Sequence, residues 1–167
     1  MYKRQRIGNS RGASSVAFDL GVLYKCEIND WEGAGWSVGL HVSNLGPKIN
    51  YLTSKDALPA TVKVGGAADL PFLQMHKLTL TADVGYRLSP ADVQALSVSA
   101  GAEYAWRELV MLRGGYHCGD KKKGDASYAT AGAGVEYAGV RLDFAWLFAG
   151  HEYLARNTFW VSLGYSF

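Results

Sequence analysis

Four histidines, two cysteines and a sparse set of charged residues are the side chains in this sequence that could do chemistry. His41, His76, His117 and His151 fall on separate segments, and no two stand at the spacing that holds zinc, so no metal site is expected. Cys26 and Cys118 could pair in an oxidising compartment. No Gly-x-Ser-x-Gly elbow, phosphate-binding glycine loop or Cys-x-x-Cys motif is present. The residues therefore nominate no catalytic group, no metal and no cofactor, and a non-enzymatic protein is the expectation. The run Asp120-Lys121-Lys122-Lys123-Gly124-Asp125 has two readings. It grips lipopolysaccharide phosphates or an acidic protein patch, or it is a solvated hairpin loop with Lys-Gly-Asp turn chemistry.

The elements that must position these residues are strands. The chain has 167 residues, a net charge of +2 and a mean hydropathy of -0.05. No apolar run approaches the roughly 18 residues of a membrane helix, and nothing suggests a polyanion-binding surface. Period-two alternation predicts nine strands after Ala13. Their apolar sides begin with Val16-Phe18-Leu20-Val22-Tyr24, Trp36-Val38-Leu40-Val42 and Ala60-Val62-Val64. They continue with Leu78 to Tyr86, Leu96 to Trp106, Val110 to Tyr116, Ala129 to Tyr137, Val140 to Phe148 and Phe159 to Phe167, taking every second residue. None of these positions is charged. The opposite sides carry Gly, Ser, Thr and Ala with a few charges of both signs.

Alternation of this kind fits a soluble barrel with an apolar core or a transmembrane barrel with an apolar outside. A soluble barrel would carry many Lys and Glu on its polar side. Small residues suit a crowded polar lumen instead. Tyr24, Trp36, Tyr86, Trp106, Tyr116 and Tyr137 stand where apolar runs stop, as interfacial aromatic girdles do. The predicted fold is all-β, an antiparallel up-and-down transmembrane β-barrel of about nine strands. Phe159, Val161, Leu163, Tyr165 and Phe167 alternate to the last residue, which resembles the terminal insertion signal of Gram-negative outer-membrane barrels. With that end periplasmic, the turns at Ala138-Gly139 and Arg107-Glu108 and the segments Asp69–Met75 and Glu27–Ala34 share the periplasmic side. Gly46–Ala57, Leu88–Gln94, His117–Ala126 and Ala149–Asn157 become outer loops. Cys26 and Cys118 then lie at opposite rims, too far apart to bridge.

On this layout Asp19, Lys63, Asp83, Arg87, Glu103, Arg113, Glu136, Arg141 and Asp143 face the lumen. They form either a selectivity path or a paired network that satisfies enclosed charge and holds the strands together. At the outer rim, Asn44, Leu45, Gly46, Pro47 and Lys48 form a turn that projects Lys48, or a corner leading into the next loop.

Several stretches resemble one family. They are Phe18-Asp19-Leu20-Gly21-Val22-Leu23-Tyr24-Lys25, Ser43-Asn44-Leu45-Gly46-Pro47-Lys48-Ile49 and Leu58-Pro59-Ala60. Later come Arg113-Gly114-Gly115-Tyr116, Lys123-Gly124-Asp125, Leu142-Asp143-Phe144-Ala145-Trp146-Leu147 and Asn157-Thr158. Together they resemble the PorV/PorQ family of Bacteroidetes outer-membrane proteins, from Ser14 to Phe167. The resemblance implies a fourteen-strand barrel like that of the long-chain fatty-acid transporters, of which residues 14–167 would be the C-terminal part. It also implies a role in type IX secretion, shuttling or anchoring cargo at the cell surface. Implied partners are outer-membrane lipid and lipopolysaccharide, the barrel-assembly machinery, secretion-system subunits and the C-terminal domains of cargo, and no nucleic acid. Residues 1–13 are expected to be a non-native or disordered start, with Met1–Gln5 matching the translation of a transposon-type sequencing adapter. Two other functions stay open, a channel for hydrophobic small molecules of the fatty-acid type and a soluble β-barrel binding module.

Overall fold

The computed structural model describes residues 2–5, 13–47, 49–50, 55–150 and 158–166. Its main body is one antiparallel sheet of nine strands, each joined to the next along the chain. Numbered along the chain, two short strands come first, β1 (Tyr2–Gln5) and β2 (Ala13–Val16), paired only with each other. The sheet begins with β3 (Phe18–Glu27) and β4 (Gly35–Leu45). The connection after β4 holds a two-residue ladder, β5 (Ile49–Asn50) with β6 (Lys55–Asp56). The sheet continues through β7 (Thr61–Phe72), β8 (His76–Arg87), β9 (Leu96–Trp106) and β10 (Val110–Cys118). It ends with β11 (Tyr128–Tyr137), β12 (Val140–Ala149) and β13 (Phe159–Tyr165). Among the described residues β3 and β13 pair on one side only, so the sheet is open, as an incomplete barrel is.

The exposure of the two faces is inverted relative to a water-soluble sheet. Large apolar side chains are the most exposed, with Leu163 at 75%, Val22 at 72% and Leu20 at 66%. The buried positions on the other face are Ser97, Ala105, Met111 and Leu147. Curling the sheet toward its small-residue side crowds that side and splays the apolar one outward.

Three hairpins close with two consecutive residues at positive φ: Leu73-Gln74, Arg107-Glu108 and Ala138-Gly139. Such turns match the right-handed twist of the strands they join. Glycine serves only the last of the three, so the first two turns carry little signal in their own residues. The first also corrects an expectation. A long connection from Asp69 to Met75 was predicted, yet β7 runs to Phe72 and the turn is only residues 73–75. Gly66, Ala67 and Ala68 are small on both faces there, which erases the alternation. Pro71 sits beyond Asp69, the last residue with a β4 partner, where a missing N–H breaks no ladder to that strand. At the start of the chain, Tyr2–Gln5 pair with Ala13–Val16.

Candidate functional site

The inner, small-residue wall carries two polar systems. The first begins with Arg113 of β10, directly opposite Glu103 of β9 in the ladder. Its Nε donates to the Glu103 carboxylate and its Nη1 to the Asp143 carboxylate of β12, while Nη2 approaches Met111 Sδ at 3.3 Å. Arg141 Nε donates to the second Asp143 oxygen at 2.8 Å, and Arg141 Nη1 lies 3.6 Å from Glu136 Oε2. Glu103, Arg113, Asp143, Arg141 and Glu136 thus form one alternating chain of charge across β9 to β12. Arg113 and Asp143 belong to strands that are not neighbours. They meet over Gly134 of β11, where a Cβ would lie 2.5 Å from Asp143 Oδ1 and 3.4 Å from Arg113 Nη1.

The second system lies toward the other end of the strands. His117 of β10 faces Ser99 of β9 and Tyr128 of β11 in the ladder. Its Nδ1 is 3.1 Å from Ser99 Oγ, its Nε2 is 3.0 Å from Asp125 Oδ1, and its ring stacks on Tyr128 at 4.8 Å. Ser99 Oγ is also 3.4 Å from Asp83 Oδ1. Asp125 belongs to the loop after β10, which folds inward: Arg87 Nη1 of β8 donates to the Lys123 carbonyl at 3.1 Å. The three lysines of that loop form one 3-10 turn, opened by an Asp120 side chain accepting from the Lys122 N–H.

The remaining predicted residues stand apart. Asp19 accepts the backbone N–H of Asn44 at 2.7 Å. Lys63 makes no ion pair with a described residue. In the rim motif, Asn44 adopts a left-handed conformation (φ 56°) and its amide donates to the Pro59 carbonyl. Leu45 ends β4, Gly46 and Pro47 follow outside any strand, and a Cβ at Gly46 would strike the Val16 carbonyl and buried Leu58. This geometry makes the motif a packed corner; Lys48 lies outside the described residues. Phe159, Val161, Leu163 and Tyr165 are exposed along the edge strand β13, and Phe167 is outside the described residues. Cys26 and Cys118 are both free thiols. Among the described residues no three His, Cys, Asp or Glu side chains are grouped as a metal would require.

Three contacts went unread in the sequence. His117 was assigned to a loop, but it is the inward residue at the end of β10, and its partners depend on a loop fold that alternation does not encode. Thr79 and Lys77 both engage Asp69, at 2.6 and 3.2 Å, on the part of β7 that lacked a pattern. His76 Nδ1 lies 2.6 Å from Tyr104 Oη on the outward face, near the turn end of β8 and β9. Tyr104 was placed correctly on that face, and its register with Leu78 brings His76 close.

Hairpin-linked strands that turn large apolar residues outward and hold small and charged ones inside define the up-and-down barrel class of outer-membrane proteins. Within that class, the family model of type IX secretion system protein PorV matches residues 4–94, more than half of the chain. The chain belongs to that family and is an outer-membrane protein associated with type IX secretion. The match begins inside β1 and ends in the loop after β8, so the stretches from Arg113 onward lie beyond it. No curated protein matches the chain.

Proposed function

We propose that this protein spans the outer membrane and serves type IX secretion as a non-enzymatic component, shuttling or anchoring cargo at the cell surface. The supporting observation is the membership of the PorV family together with the outward apolar wall. On this reading the lipid-facing wall holds the protein in the bilayer, next to lipopolysaccharide, after insertion by the barrel-assembly machinery. The charge chain from Glu103 to Glu136 locks the inner wall as a scaffold. Recognition falls to the loops between β4 and β7, β8 and β9, β10 and β11, and β12 and β13, where secretion-system subunits and cargo C-terminal domains would dock. Loops carry recognition on barrels because the strands are committed to the ladder and the bilayer.

Affinity purification of the tagged, full-length protein from its native membrane tests this. Cargo bearing a C-terminal signal domain is expected to co-purify, and deletion of the gene is expected to leave that cargo inside the outer membrane. Normal cargo export in the deletion strain would refute the reading. A channel for hydrophobic small molecules is the second reading, favoured by one feature. Gly21, Gly39 and Gly65 leave a cavity of about 430 Å³ beside Leu23 on the inner wall. Uptake of such a solute lost on deletion, with secretion intact, would select it.

A further inference from the structure

Beneath the inward-folded loop between β10 and β11 lies a second, smaller cavity of about 210 Å³, which the secretion reading does not use. Its wall includes Thr61 and Lys63 of β7, Arg87 of β8, Ser97 of β9, His117 of β10 and Asp125 of the loop. Register brings the lysine there. Lys63 pairs with Gly85, and Gly85 with Ser97. A Cβ on Gly85 would sit 2.8 Å from Ser97 Oγ and 3.3 and 3.4 Å from Lys63 Cγ and Cε. The bare glycine therefore lets the exposed Lys63 stem lie across β8 toward Ser97. Arg87 is fixed by its bond to the Lys123 carbonyl, a neutral partner that leaves its charge unmatched.

Neither cation makes an ion pair with a described residue. The carboxylate of this cavity, Asp125, is engaged by His117. Asp83, two residues before Gly85 on the same face, lines the adjoining cavity and lies beside Ser99. The pocket thus holds two cations with no ion pair to a described residue, and the hydroxyls of Thr61, Ser97 and Tyr128, against one carboxylate that is already taken. We propose that it binds a phosphate group, either free or carried at the end of a larger molecule. Two positive charges with several N–H donors match a group bearing about -1.5 to -2 charge and three acceptor oxygens better than a monocarboxylate, while the Thr61 and Ser97 hydroxyls donate to the Pro59 and Gly85 carbonyls.

The test is a phosphorus NMR titration of the full-length protein in detergent, first with inorganic phosphate and then with glycerol phosphate. Saturable broadening is expected for the native protein, weakened about tenfold or more in Lys63→Met and in Arg87→Gln. Lys25→Met, which faces a different cavity, is expected to bind as the native protein does. Lys63 holds no ion pair with a described residue, so its variant keeps the test valid even if Arg87→Gln disturbs the loop. Tighter binding of glycerol phosphate would assign the site to a phosphorylated headgroup, and equal binding to the free ion. Absence of saturable binding, or equal binding by Lys63→Met, would overturn the proposal.

Discussion

Replacing Arg113 by methionine keeps the length of the side chain and removes the hub of the inner charge chain. Glu103 then has no ion-pair partner among the described residues, while Asp143 keeps Arg141 at 2.8 Å. A charge-assisted hydrogen bond contributes about 1.5–3 kcal/mol where water is excluded. Here the Arg113, Glu103 and Asp143 side chains are 28%, 35% and 22% exposed, so solvent screens part of each interaction. One bond is lost outright and the other is partly replaced by Arg141, which sets the expected loss near 2 kcal/mol. That is roughly a thirtyfold change in the folding equilibrium. Reversible urea unfolding in lipid vesicles, followed by tryptophan fluorescence, reads this quantity. Part of the loss comes from the stranded Glu103 carboxylate, so Glu103→Gln combined with Arg113→Met should recover a measurable share of it. A double variant as unstable as the single one would refute this account, and so would a neutral Arg113→Met.

Gly134→Ala attacks the same contact from the strand between its partners. The added Cβ must displace Asp143 or Arg113, at a cost of about 1–2 kcal/mol, and in an Arg113→Met background most of that penalty should vanish. Additive losses in the same unfolding assay would contradict the idea that Gly134 exists to let the pair meet. Leu80→Arg probes the outer wall. Leu80 is 43% exposed near the middle of β8, so on a water-facing sheet the change would fall within about 0.5 kcal/mol. Facing lipid near the bilayer midplane it should cost about 2–4 kcal/mol, and a neutral result in vesicles would exclude the membrane placement.

Much of the fold is legible because a strand repeats every two residues and a bilayer tolerates no charge on one of its faces. Leu78, Leu80, Ala82, Val84 and Tyr86 fix the phase of β8 without help from any partner. Glu103 opposite Arg113 follows from the same reasoning, since the tight turn at Arg107-Glu108 sets the register of its two strands. The tie from Arg113 to Asp143 does not follow, because it needs the order of three strands and an empty position between them. His117 with Asp125 is further out of reach. A loop's fold is decided by contacts such as Arg87 with the Lys123 carbonyl, and a carbonyl has no residue type to read. The end of β7 failed for the opposite reason, as glycine and alanine on both faces left no contrast.

The glycines on the inner wall unite these observations. Side chains on a closed or curled sheet crowd one another on the concave side, and a residue there must be small or must have a small neighbour. Gly134 uses that vacancy to let an arginine and an aspartate meet across an intervening strand. Gly85 uses it to lay a lysine stem across β8. In both places the missing side chain sets which charged residues meet, so the pattern of glycines on the inward face encodes the wiring of the inner charges. A substitution at either glycine should therefore change electrostatics first and packing second. The coupling between Gly134→Ala and Arg113→Met measures that order directly: if packing dominated, the alanine would cost the same with or without the arginine.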